Sequence, residues 1–276
     1  MHMSDELLSA TVGSALYAAS AAAVAYSAVK IKKDGIDLKK AAVAAAAGAV
    51  ILSVQSVNYA IPGTGSSGHL LGALMLAAIV GAAPAMLVMA SVLAIKCFLF
   101  ADGGVLALGA NIFNLGVVPC LIVYPLLFKP LVKNGASMTR TALASMAASV
   151  AALQLGAFGV VLYTQASGIT ALPFVEFTLA MQPIHLAIGL IEGAATAVVL
   201  CLVLKTRPDI MKSALDGTAM PAVPVGKVVA VFAAAALVVG GVMPRFASSA
   251  PDGLEWSVER VGGPAAADVD GPVIGG

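Results

Sequence analysis

Three histidines occur among 276 residues, His2, His69 and His185. His2 follows the initiating methionine directly, in "MHMSDELLSA", and this gives it a chemistry the other two lack. A free Met1 α-amine, the backbone amide nitrogen of His2 and the His2 imidazole can bind one metal ion together, closing two chelate rings in a plane. One further imidazole completes a square of four nitrogens, and His69 is the natural fourth donor. Tetragonal nitrogen sets suit Ni(II) or Cu(II), whereas Zn(II) prefers a tetrahedron. Amine, amide and imidazole must all be deprotonated, so such binding releases protons and weakens as pH falls.

The surrounding chain must bring these donors together. Hydrophobic residues make up 60% of it and charged residues 11%, against roughly 25% charged in a soluble domain. Apolar runs near 8–29, 41–60, 83–101, 105–128, 141–165, 183–204 and 226–243 reach the ~20 residues a membrane helix needs. A shorter run, "HLLGALMLAAIVG" (69–81), ends before Pro84 and counts as an eighth crossing or half-crossing. The alternating segments of a β-barrel are absent. The fold class is therefore all-α: a polytopic membrane helical bundle of about eight transmembrane segments.

Charge sets its orientation. With eight crossings and the N-terminus outside, loops 30–40, 129–140 and 205–227 fall in the cytoplasm and hold 12 of the 15 Lys and Arg residues, as the positive-inside rule requires. Asp5 and Glu6 open the chain where a cleaved signal would be basic, so the terminus is expected to be retained and external. His2, His69 and His185 then lie at one level, the outer face. The chain is expected in the cell (inner) membrane, multi-pass, with the lipid bilayer as a partner and no nucleic acid.

Other polar residues within the spans have two readings. Lys96 in a span needs a partner, and Asp102 is available for a structural ion pair. Glu192 lies seven residues past His185 on the same helical face; it either supports the site or hydrogen-bonds between helices to fix packing. Cys97, Cys120 and Cys201 read as packing residues. "GTGSSG" (63–68) lacks the Lys–Ser/Thr ending of a phosphate loop, and neither a Walker motif nor an HExxH pair occurs. An enzyme is not expected. Small residues four apart, such as Ala18 with Ala22 and Ala41 with Ala45, allow close helix approach.

"GTGSSGHLLGALMLAAIVG", "LFADGGVLALGANIFNLGVV", "HLAIGLIEG" and the initial "MH" together resemble the substrate-capture subunit of energy-coupling-factor nickel and cobalt importers, the NikM/CbiM family, over residues 1–207. The tail "SSAPDGLEWSVERVGG" (248–263) resembles the external loop of the small NikN/CbiN partner subunit, here fused behind span 226–243. Residues 208–225 form a cytoplasmic linker, and 226–276 a NikN/CbiN-like unit that ends without the partner's usual second span. The resemblance implies an S-component-like bundle and metal ligation by Met1, His2 and His69, the set already reached from coordination chemistry. Nickel or cobalt is then the transported substrate, with no organic cofactor. The implied partners are a NikQ/CbiQ-like coupling subunit, with the second helix as a docking face, and NikO/CbiO-like ATPase subunits. Ligating histidines usually donate their second N–H to something fixed, which makes Asn58 and Asn111 candidate supports beside His185 and Glu192. Gln55 and Asn114 flank the same motifs. A passive divalent-metal channel or stand-alone permease is the alternative; it needs acidic or polar groups at several depths, where this chain has essentially Glu192. A membrane metal sensor needs a cytoplasmic domain larger than any loop here.

Overall fold

The computed structural model describes residues 2–133 and 135–262. Met1 and the end of the tail unit, 263–276, lie outside the described residues.

Lipid offers backbone groups no hydrogen bonds, so the apolar runs satisfy their own as helices. The bundle consists of α1 (Ala10–Asp34), α2 (Leu38–Gln55), α3 (Ala73–Val80), α4 (Ala82–Phe100), α5 (Leu108–Lys133), α6 (Met138–Ser167), α7 (Phe174–Thr206), α8 (Pro208–Asp216), α9 (Val225–Val242) and α10 (Gly253–Gly262). Among the described residues, seven helices are long and apolar enough to cross a membrane, namely all but α3, α8 and α10. Ser9 caps α1 by accepting from Val12 N, and Asp37 caps α2 by accepting from Lys39 N and Lys40 N. Within α5, Pro119 and Pro125 lack donors, and the winding opens to the wider π form over Phe113–Phe128. Gly189 and Gly193 of α7 lie against the backbone of Val150 and Met146 of α6, so these two long helices approach closely.

The eighth segment is half helix. Residues 69–72 run in beside α7 without helical structure, and α3 then completes the inward course to a turn at Gly81. Eight helical residues rise about 12 Å and four non-helical ones add at most about 13 Å. Together they approach the ~30 Å of hydrocarbon. Non-helical backbone is tolerated at that depth only when protein satisfies it. Here Glu192 accepts from Leu71 N at 2.7 Å and Gly72 N at 2.8 Å, and Gln55 Nε2 donates to Leu71 O at 2.9 Å.

Three expectations are corrected. The run 41–60 is helical only to Gln55; beyond it β1 (Tyr59–Ile61) and β2 (Ser66–Gly68) form an antiparallel hairpin, so Asn58 sits in a loop. His69 precedes α3 by four residues instead of opening it. His185 does not begin the seventh span, because α7 starts at Phe174 and continues through Pro183. Finally, α9 lies along α2, with Gly240 against Ser53, while Ala41 and Ala45 remain exposed.

Candidate metal centre

The start of the chain is held by the segment between α4 and α5 and by the first turn of α5. Asn111 mimics a peptide group: its Oδ1 accepts from Met3 N at 2.8 Å and its Nδ2 donates to Met3 O at 3.1 Å. Met3 O also accepts from Gly104 N at 2.9 Å, and Asp5 Oδ1 accepts from Ala107 N at 2.9 Å. This docking buries the His2 side chain to 6% exposure and sets its Nδ1 3.2 Å from Asp102 Oδ1. Asp102 Oδ2 in turn pairs with Lys96 Nζ at 2.6 Å, and Lys96 donates to Gln55 O at 3.2 Å. Burial, followed by the positive charge of Lys96 and then by His69, holds the His2 imidazole well below its ordinary value of 6.5. His2 is therefore neutral. A carboxylate only accepts, so Nδ1 carries the proton and Nε2 has the lone pair.

His69 follows β2 on the segment that Glu192 and Gln55 pin. Its ring stacks on His2, with centroids 4.9 Å apart and planes 23° from parallel. Its Nδ1 lies 3.4 Å from Leu70 O. The Nε2 atoms of His2 and His69 are both buried without a hydrogen-bond partner.

His185 is fully buried in α7, with Nδ1 2.8 Å from Met181 O, and its Nε2 is likewise buried and unpartnered. The tail covers this region. Ser67 N donates to Pro251 O at 2.8 Å, Ser67 Oγ donates to Ala250 O at 2.7 Å, and Trp256 Nε1 donates to Thr64 O at 3.0 Å. Asp252 and Glu255 form a capping box at the start of α10, with Asp252 Oδ1 accepting from Leu254 N and Glu255 Oε2 accepting from Asp252 N. Gly253 fits over the His185 ring because it has no Cβ, which would stand 3.1 Å from His185 Cε1.

The predicted histidines thus meet at one end of the bundle. Among the described residues, no three His, Cys, Asp or Glu side chains converge to hold a metal ion by themselves. The expected donor set differs in kind, since it draws on the His2 backbone amide and on the Met1 amine, and Met1 lies outside the described residues. Of the expected supports, Asn111 fixes the residue after His2, and Glu192 fixes the backbone after His69. Asn58 contributes only its backbone carbonyl, which accepts from Ser248 N at 2.8 Å. Asp102 was legible as the partner of Lys96, but its contact with His2 was missed. The signal was its place in the loop "ADGG", an acid at the same outer level as the histidines.

Over residues 2–210 the sequence matches the family model CbiM, cobalt uptake substrate-specific transmembrane region, and over 226–272 it matches the PDGLE domain. It is 30% identical over 265 residues to a putative fused nickel transport protein NikMN of Archaeoglobus fulgidus, spanning 92% of this chain and 84% of that protein. Identity to the cobalt transport protein CbiM of Sorangium cellulosum is 27% over 164 residues, 59% of this chain and 72% of that one. The crystal structure of a transition metal transporter superposes with a TM-score of 0.63 and 26% identity, over 77% of this chain and 97% of that one.

Proposed function

The chain belongs to the CbiM family of cobalt uptake substrate-specific transmembrane regions, with a PDGLE domain fused behind it, and from that premise we propose that it is the substrate-capture subunit of an energy-coupled importer of nickel or cobalt ions. The observation that carries this reading is the stacked pair of neutral histidines, His2 and His69, 4.9 Å apart beside the docked start of the chain. Neutral imidazoles with bare lone pairs suit borderline first-row metals over Mg²⁺ or Ca²⁺.

In the proposed capture step the Met1 amine, the His2 amide nitrogen and His2 Nδ1 bind the ion, with His69 as fourth donor. Only Nδ1 closes a six-membered ring with the amide, and it is the nitrogen that Asp102 now holds. Capture therefore exchanges the His2–Asp102 hydrogen bond for a bond to metal, while Asp102 keeps Lys96. Protons leave the amine and the amide, while the Nδ1 proton passes to the bare Nε2, so loading is pH-dependent. Energy would come from separate ATPase subunits acting through a membrane coupling subunit, which reorient the loaded bundle. Relatives named as fused nickel transport proteins support this over a free-standing channel. So does the engagement of Glu192 by two backbone amides, which leaves that carboxylate committed to structure.

Calorimetric nickel titration of the purified chain, beside one with Gly-Ser inserted before Met1, tests the reading. Insertion moves the amine but keeps every side chain. The native chain is expected to bind one nickel tightly with a heat that depends on buffer ionisation, and the insertion to weaken binding by about 100-fold or more, as loss of ligands does. Equal binding by both chains would rule out the terminal chelate.

A further inference from the structure

The terminal chelate leaves His185 unused, yet His185 is placed as a donor. Its Nδ1 lies 2.8 Å from the Met181 carbonyl, which only accepts, so Nδ1 bears the proton and Nε2 the lone pair. That Nε2 is buried without a partner, and an unsatisfied buried acceptor costs about 1–3 kcal/mol. Such an atom in a folded chain calls for a water or an ion. His69 repeats the pattern, with Nδ1 toward Leu70 O and Nε2 buried and unpartnered. Both rings line one cavity of about 10 Å³, closed by Leu115, Leu153, Ile188 and Gly253. About 10–15 Å³ is the space of a single water centre, so the cavity suits one small occupant between two imidazoles.

The geometry points to an inner metal station formed by His69 Nε2 and His185 Nε2, which the ion enters on leaving the terminal chelate. This inference rests on the proposed import of a nickel or cobalt ion and adds the next step to it. His69 belongs to both stations, so the ion keeps one protein ligand throughout the move. Only two neutral ligands in an otherwise apolar cavity hold a divalent ion weakly, as transit demands of a site that must also let go. Two turns further along α7 comes Glu192, whose oxygens are bound to Leu71 N and Gly72 N. The carboxylate of Asp252, next to Gly253 in the tail, acts on both His69 and His185, so the station lies in the field of one anion that is not part of the cavity wall. Gly253 of the tail lies directly over the His185 ring, so the fused PDGLE segment forms the lid of this station.

The chain has three histidines, and ring-¹⁵N-histidine labelling therefore resolves them individually. The probe is Co²⁺ alone, added to full-length chain bearing Gly-Ser before Met1, which disables the terminal chelate. Ring signals of His69 and His185 are expected to shift together on titration. His185→Phe is expected to abolish the shift at His69 and weaken Co²⁺ binding about tenfold or more. Should the Phe variant misfold, His185→Gln, which can still donate to the Met181 carbonyl, takes its place. Unmoved His185 signals at saturating Co²⁺, or binding unchanged in either folded variant, overturns the inner station. A native chain that is indifferent to the insertion, but whose His185 signal shifts, overturns the terminal chelate and leaves the inner station standing.

Discussion

The two ends of the bundle handle charge in opposite ways. At the end that carries the histidines, a cavity of about 10 Å³ is lined by His69, His185 and aliphatic side chains. Lys96 beside it is 1% exposed and paired. At the end that carries the basic loops, a cleft of about 1190 Å³ opens among Lys30, Asp34, Lys39, Lys40, Lys129 and Asp216. Charges there stay solvated, and exposed pairs such as Lys212 with Asp216 contribute little, about 0–1 kcal/mol. Desolvation makes the difference. At the histidine end an unpaired charge is expensive, so Lys96 and Asp102 are paired, while the Nε2 atoms of His2, His69 and His185 stay bare. Those of His69 and His185 are free to meet a metal ion, whereas the proposed chelate takes His2 through Nδ1.

Breaking the histidine end has the larger expected consequences. Asp102→Ala leaves Lys96 buried without its carboxylate and is expected to cost about 3 kcal/mol, the low end for breaking a buried pair because Asp102 is partly exposed. Thermal unfolding in detergent measures this. Lys96→Met in the same chain should recover most of the loss, since apolar replacement of a buried pair is often neutral. No recovery in the double variant would show that Asp102 matters to folding only through His2.

Glu192→Gln replaces one of the two acceptors for Leu71 N and Gly72 N with a donor, and is expected to cost about 2 kcal/mol, the penalty for one unsatisfied buried amide. Because the same amides follow His69, nickel affinity falls about tenfold as well, read by calorimetry. A stability loss with unchanged affinity would separate Glu192 from the site. Asp37→Ala at the opposite end provides the contrast. It removes an N-cap that also accepts from Met220 N at 2.7 Å, costing about 1 kcal/mol with no change in nickel affinity. Although burial acts to raise it, hydrogen bonds from Met220, Lys40 and Lys39 hold the Asp37 carboxyl below its ordinary 3.8. A depressed carboxyl stabilises above its unfolded value, so the difference between parent and variant should be full above pH 3.8 and shrink as pH falls through the lowered value. Unfolding scans from neutral pH downward check the sign.

Several features of the site could be read from residue types alone. His2 behind a terminal amine, and His69 after a glycine-rich loop, announce a nitrogen chelate without reference to any fold. Asn111 was recognisable as a support because an amide in an apolar run needs partners. The depth of His185 was not. Pro183 resembles a helix start, yet the first turns of α7 lie outside it, where Phe174 and Val175 are exposed and weakly distinguished from loop. Nor did Glu192 reveal its partners, since its choice between packing and site depended on where residues 71 and 72 ran. Asn58 was misread because apolar composition continues past Gln55 while the chain has already turned into a hairpin.

By itself the sequence determined the long apolar spans, and it pointed to an orientation and to the histidines as candidate donors. Span length, loop charge and ligand chemistry are local properties, written within a few residues of each other. Only the tertiary structure decided which buried polar atoms have partners. That depends on contacts across 100 residues or more, such as Asn111 with Met3, Asp102 with His2 and Glu192 with Leu71. A hydrogen bond met or left unmet at that range sets whether an imidazole is a packing element or a ligand, because low-dielectric surroundings penalise each unpaired group.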